Sequence, residues 1–189
     1  MTTWEEFAAD QPEMAKVLRH LLGWIPIAYI ATVRRDGSPR VHPFVPIFAA
    51  DRMFIAIPEW SPKRHDLRRD GRYAMHALPG KRDDEFYMTG RASLVEDAEM
   101  RKAVVDAAKH TVHPTDDVFE LSAEYVMTAH WEKQGQPNTY AVRKEWRPAG
   151  ALLAAPNGVG PGRRQPAANG RARPKARAAS GSRATRKGS

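Results

Sequence analysis

The 189-residue chain contains no cysteine, which removes disulfide scaffolds, thiolate zinc sites, iron–sulfur clusters and thiol nucleophiles together. Long apolar runs are also missing: crossing a bilayer as a helix takes about eighteen uninterrupted apolar residues, and stretches such as Ile25–Val33 stop well short. No transmembrane helix is expected. Residues Met1–Asp10 lack the basic and apolar regions of a secretory signal and carry Glu5, Glu6 and Asp10 instead, so the expected location is the cytoplasm. Neither GxGxxG nor a GxxxxGK phosphate loop occurs, and GxSxG and HExxH are absent too. Dinucleotide-binding, P-loop, serine-hydrolase and zincin chemistries therefore lose their sequence basis.

What is there begins with charge. The formal balance is +8, from 30 Lys and Arg against 22 Asp and Glu. Residues 156–189 hold nine of the basic residues and no acid, so the remaining 155 residues carry 21 basic against 22 acidic groups, a net charge of −1. The excess thus belongs to the tail. Beyond Ala155 only Val159 is an apolar residue larger than Ala, and such a segment buries too little surface to offset the entropy of ordering it. We expect one folded domain over 1–155 and a disordered basic tail over 156–189. The tail suits either weak, salt-dependent contact with polyanions or a solubilising role; it has no aromatic for base stacking and no spacing repeated along its length.

Within the domain, Trp4–Ala9 and Gln11–Gly23 read as helices, the second with Met14, Val17, Leu18, Leu21 and Leu22 at helical spacing. Ile27–Arg34 and Arg40–Phe48 flank an Asp36-Gly37 turn, and Arg52–Ile57 follows as a third adjacent strand of a meander. Ser61 and Pro62 open a short helix as N-cap and first helical residue, ending near Asp70-Gly71. Tyr73–Leu78 and Glu85–Val95 are strands, Asp97–Lys109 is an amphipathic helix, and Phe119–Trp131 and Tyr140–Trp146 close the sheet. Six to seven strands with few parallel crossovers indicate a mainly β, α+β fold built on an antiparallel barrel with flanking helices.

The chemistry concentrates in Trp60–Arg72, which places a hydroxyl, a cation and a helix N-terminus just after a strand. Free N–H groups, the positive end of the helix dipole and the Lys63 charge make a phosphate site, to which Arg40 adds a bidentate contact if it points the same way. The alternative, which composition alone favours, is an ordinary capped helix with Lys63, Arg64, Arg68 and Arg69 solvated. His110 and His113 are too few to hold a metal and fit a polar loop before Pro114. No metal site is expected. His42 and His76, in expected strands, suit either half-buried structural positions or a pocket lining.

The succession IAYIATVRRDGSPRVHPFVPIF, RMFIAIPEWSPKRHDLRRDGRYAMHAL and EFYMTGRASLVED resembles the pyridoxamine 5′-phosphate oxidase-like family of flavin-binding split barrels, including members that use deazaflavin. The resemblance covers roughly residues 23–97. It implies a split-barrel homodimer with FMN, or the deazaflavin coenzyme F-420, in grooves between subunits. Arg40, Val41, His42 and Pro43 would then lie along the ring edge and ribityl chain. Ser61, Pro62 and Lys63, with Ile57 and Pro58 in front, would hold the phosphate. Pro62 stands where the namesake oxidases carry the first of two basic residues, so one phosphate contact is missing or comes from Arg64 or Arg40. The substrate-binding C-terminal segment of those oxidases has no counterpart here. The resemblance therefore implies hydride transfer to or from an unidentified small molecule, or a non-catalytic module holding flavin or haem, and names no catalytic residue.

Overall fold

The computed structural model describes residues 1–150; the basic tail expected over 156–189 lies outside the described residues. Helices α1 (Trp4–Asp10) and α2 (Pro12–Trp24) open the chain. Helix α1 starts on a capping box in which the Thr3 side chain accepts from the Glu6 N–H while Glu6 reaches back to the Thr3 N–H. Eight strands follow: β1 (Ala28–Val33), β2 (Pro39–Phe44), β3 (Ile47–Ala49), β4 (Arg52–Ile57), β5 (Arg72–Ala77), β6 (Glu85–Leu94), β7 (Asp117–Glu132) and β8 (Tyr140–Trp146). Helix α3 (Pro62–Arg69) sits between β4 and β5, and α4 (Ala98–Ala107) between β6 and β7.

All strand pairs are antiparallel and belong to one curled sheet of order β2-β1-β5-β6-β7-β4-β3, with β8 added on β7. This is the expected mainly β split-barrel class. Two details differ from the sequence reading. The expected strand 40–48 is broken at Val45-Pro46, so there is one strand more than expected, and β4 is not the neighbour of β2. It pairs instead with β3 and, across the sheet, with β7. The cause is local: Pro46 has no N–H for a ladder, and the break lets one run serve two edges of the sheet.

The β1–β2 turn uses Gly37 in the left-handed region (φ 84°), with the Asp36 carboxylate accepting from the Ser38 N–H. The β3–β4 turn places Ala50 and Asp51 at φ 46° and 55°, both left-handed, which is the backbone of a two-residue hairpin turn with residues that do not favour it. At the bulge between β6 and β7, a Cβ on Gly90 would stand 1.7 Å from the Ser122 carbonyl oxygen, so that position admits only glycine.

One face of the sheet carries the core. Ala28, Ile30, Met75, Phe86, Met88 and Val126 project there against Trp4, Phe7, Met14 and Leu18 of the first two helices. Each fully buried side chain of this size contributes about 1.5–3 kcal/mol. A smaller cluster of Ile47, Phe54, Val104 and Val118 seats α4. Among the described residues no helix is long and apolar enough to cross a membrane.

Candidate functional site

Helix α3 begins as the sequence suggests, with Pro62 in its first turn and Ser61 at the cap position. Its charged residues are sorted onto two sides by helical spacing. Lys63, Asp66 and Arg69, three apart, face the β1–β2 hairpin. Lys63 Nζ donates to the Pro43 carbonyl at 3.5 Å. Asp66 Oδ2 accepts from Arg40 Nε at 2.7 Å and from the Thr32 hydroxyl at 3.0 Å, and Arg69 donates to the Val33 carbonyl. Arg64 and Arg68, four apart, turn to the other side and converge on Asp117, at the start of β7 and opposite Ile57. The helix is thus stapled both to the hairpin and to the β4–β7 pair. The two arginines hold the Asp117 carboxyl down at about 2, with the Arg68 hydrogen bond the largest cause.

Two groups at the start of α3 are left over. Ser61 is 6% exposed, yet its hydroxyl makes no capping hydrogen bond. Lys63 has no carboxylate partner among the described residues, and burial pushes its ammonium below the usual lysine value. A half-buried cation and a hydroxyl without a capping bond thus stand together beside a helix N-terminus, an arrangement suited to an anion. The surrounding field agrees. His42 is shifted below its ordinary value first by burial, then by Lys63, Arg40 and Arg34, with only Asp66 opposing, so the corner is net positive and His42 is neutral at pH 7.

The corner adjoins an uncovered sheet face. Strand registers align Pro43, Tyr29, His76, Tyr87 and Met127 in a row on the side away from the core. A second row runs Val41, Ala31, Ala74, Thr89 and Tyr125. Tyr29 and Val41 are 45% and 60% exposed. The rings of His76 and Tyr87 lie 6.3 Å apart and those of Tyr87 and Tyr125 6.0 Å apart. His76 Nδ1 contacts the Ala77 carbonyl at 2.5 Å, which makes Nδ1 the protonated nitrogen and leaves the Nε2 lone pair available.

The expected site residues are distributed as follows. The alternation of β2 puts Arg40 and His42 on the α3 side and Val41 and Pro43 on the uncovered face, so a ligand touching all four straddles this edge strand. Ser61, Lys63 and Pro43 come together; Pro62 is exposed beside them. The Ile57 side chain is fully buried in the core, leaving only its backbone for contact, and Pro58 is half-buried. Arg64 is committed to Asp117 at 2.8 Å and to Glu59 at 3.8 Å. Asp66 went unnoticed in the sequence, although its spacing of three from Lys63 and Arg69 placed it on the same helical side. The corner is an open shelf flanked by Trp60, which is 83% exposed. A hollow of about 250 Å³ between the end of α2 and the β2–β3 link has neither Ser61 nor Lys63 in its lining.

The sequence profile of the family described as pyridoxamine 5′-phosphate oxidase matches residues 14–130, which spans α2 through most of β7. The chain belongs to the pyridoxamine 5′-phosphate oxidase family. Solved structures share the family fold at low identity. A heme binding protein from Mycobacterium smegmatis superposes with a TM-score of 0.52 at 16% identity, covering 70% of this chain and 58% of that one. A nimc/nima family protein from Clostridium acetobutylicum gives 0.51 at 16% identity, covering 69% and 93%. ChuZ from Campylobacter jejuni gives 0.53 at 12% identity, covering 67% and 58%. The chain therefore spans little more than half the length of the Mycobacterium and Campylobacter proteins. A comparison with curated proteins gives no match.

Proposed function

We propose that this member of the family is a homodimeric oxidoreductase that binds FMN and exchanges a hydride with a small molecule. One observation carries the reading: a half-buried ammonium and a hydroxyl that makes no capping bond, in a net positive corner, stand at the end of an uncovered aromatic sheet face. A phosphate monoester satisfies the first three features and a flat apolar ring system the last. When bound, the flavin supplies the hydride chemistry at its central ring. The chain's part is to hold and orient. Lys63, Ser61 and the positive end of the α3 dipole would hold the phosphate, with Pro62 presetting the turn. Arg40, Val41, His42 and Pro43 run beside the ribityl chain and ring edge, while Ile57 and Pro58 offer backbone. A second copy over the exposed sheet face turns the open shelf into a groove and excludes water from the ring.

The deazaflavin coenzyme F-420 is the variant favoured by Pro62, which leaves one basic residue fewer at the phosphate. A haem-holding role is a second reading, supported by the free His76 Nε2 on the uncovered face and by the fold shared with the Mycobacterium heme binding protein. Absorption spectra of the purified protein, alone and after titration with each cofactor, separate them: flavin bands are expected, deazaflavin absorbs further to the blue, and haem gives an intense Soret band. Reduction of the bound flavin by a nicotinamide donor then tests for an enzyme. Binding of haem with no affinity for either flavin would overturn the proposal.

A further inference from the structure

A phosphate monoester carries a charge of about −1.5 to −2 at pH 7 while Lys63 supplies a single positive charge, and the structure narrows what supplies a second. Arg64 turns to the other side of α3, with Nε on Asp117 and Nη1 toward Glu59, and makes no contact with the β1–β2 hairpin. Arg40 is different. It is held at one point, by Nε on Asp66, and no partner engages either of its Nη groups among the described residues. The Asp66 carboxylate that holds it is 3% exposed and is itself fixed by the Thr32 hydroxyl on the same oxygen and by Arg69 Nη1 3.6 Å from the other. A buried carboxylate gripped from β1, β2 and α3 is a rigid anchor. Its single charge does not balance Arg40, Arg69 and Lys63, so the cluster retains an excess of positive charge suited to an anion.

Resting on the FMN reading above, we infer that Asp66 is a positioning residue for the phosphate: by fixing Arg40 through Nε, it presents the two Nη groups beside the Lys63 ammonium as the second cation of the site. A guanidinium held this way meets phosphate oxygens with a preset fork, which a flexible ammonium at the same position cannot do.

The test compares FMN with riboflavin, which lacks the phosphate, by fluorescence titration of the full chain. The wild type should prefer FMN. Asp66→Asn should lower the FMN-to-riboflavin affinity ratio about tenfold while leaving riboflavin binding unchanged, the scale of a charge-assisted contact. In an Arg40→Ala background the same change should have no further effect. A merely structural Asp66 would instead weaken both ligands together, or add its loss to that of Arg40→Ala, and either result overturns the inference. Arg40→Lys serves if Asp66→Asn does not fold: loss of the ratio supports the fork, and a retained ratio shows that charge alone suffices and overturns it. A wild type that binds FMN no better than riboflavin defeats the cofactor reading itself, and the inference with it.

Discussion

Lys63 and Ser61 are the residues at which the proposed site is most directly tested. A serine before proline at a helix start ordinarily caps the helix, and here it does not. Ser61→Ala should therefore leave the melting temperature nearly unchanged while weakening FMN by about 0.5–1.5 kcal/mol, the net value of a neutral hydrogen bond; a clear fall in melting temperature would show that the hydroxyl serves the fold. Lys63→Ala should cost FMN about 1.5–3 kcal/mol, as for a hydrogen bond to a charged group, and isothermal titration reads this directly. The lysine also sets a pH dependence. Burial lowers its value in the free protein, so raising the pH should remove its charge earlier than for an ordinary lysine, and FMN affinity should begin to fall below pH 10.5. Riboflavin affinity should stay flat over the same range. The helix start that brings these two residues together was legible from the Ser-Pro-Lys spacing. Asp66 and Asp117 were not, because a carboxylate's partner is fixed by which strands meet the helix, and that information is tertiary.

At the scale of the element, α3 is held by charge rather than by apolar burial, since Leu67 is its one buried apolar residue. The β4–β7 staple is the more acid-sensitive. Asp117 titrates at about 2 in the folded protein against 3.8 ordinarily, so its contribution is complete above pH 4 and is lost as pH falls from 4 through 2. The partly exposed Arg68 limits this to about 1–2 kcal/mol. Acid titration followed by circular dichroism should show the wild type losing stability in that window. Asp117→Asn should already be weaker at pH 7 and show less change on acidification, and an identical acid transition in the two proteins would remove Asp117 from the account. The strands themselves were largely readable from alternation and turn residues, with β5, β6 and β8 falling within a residue or so of expectation. The exception, the break at Val45-Pro46, is instructive. Periodicity marks an extended run, but a run that changes partners keeps the same alternation, so only Pro46 hinted at the exchange.

For the whole molecule, the decisive feature is the imbalance between the two faces of the sheet. One is sealed by α1 and α2. The other presents Tyr29, Val41, His76, Tyr87, Tyr125 and Met127 half-buried or exposed, in rows that reach the corner at the start of α3. The rows themselves were not visible in the sequence, although the resemblance set Val41 along a ring edge and His76 suited a pocket lining. Their adjacency depends on the register of five strands. A monomer seldom leaves so much contiguous aromatic surface bare, and a flavin held only at its phosphate and one edge would lie open to water. If a second copy covers this face, a charge placed at its centre should separate the subunits without touching the core or the phosphate corner. Tyr87→Arg is the direct test, since Tyr87 stands between His76 and Met127 in the first row and is no part of the main cluster. Light scattering after size exclusion should find the wild type dimeric and the variant monomeric, with native circular dichroism retained. FMN should bind the variant at least tenfold more weakly, because the groove has lost one wall while Ser61 and Lys63 remain in place. Deleting residues 156–189 should change neither the oligomeric state nor FMN affinity, as expected of a segment whose one apolar residue larger than Ala is Val159. A monomeric wild type that binds FMN as tightly as Tyr87→Arg would show that a single chain makes the whole site, and the uncovered face would then need a different occupant.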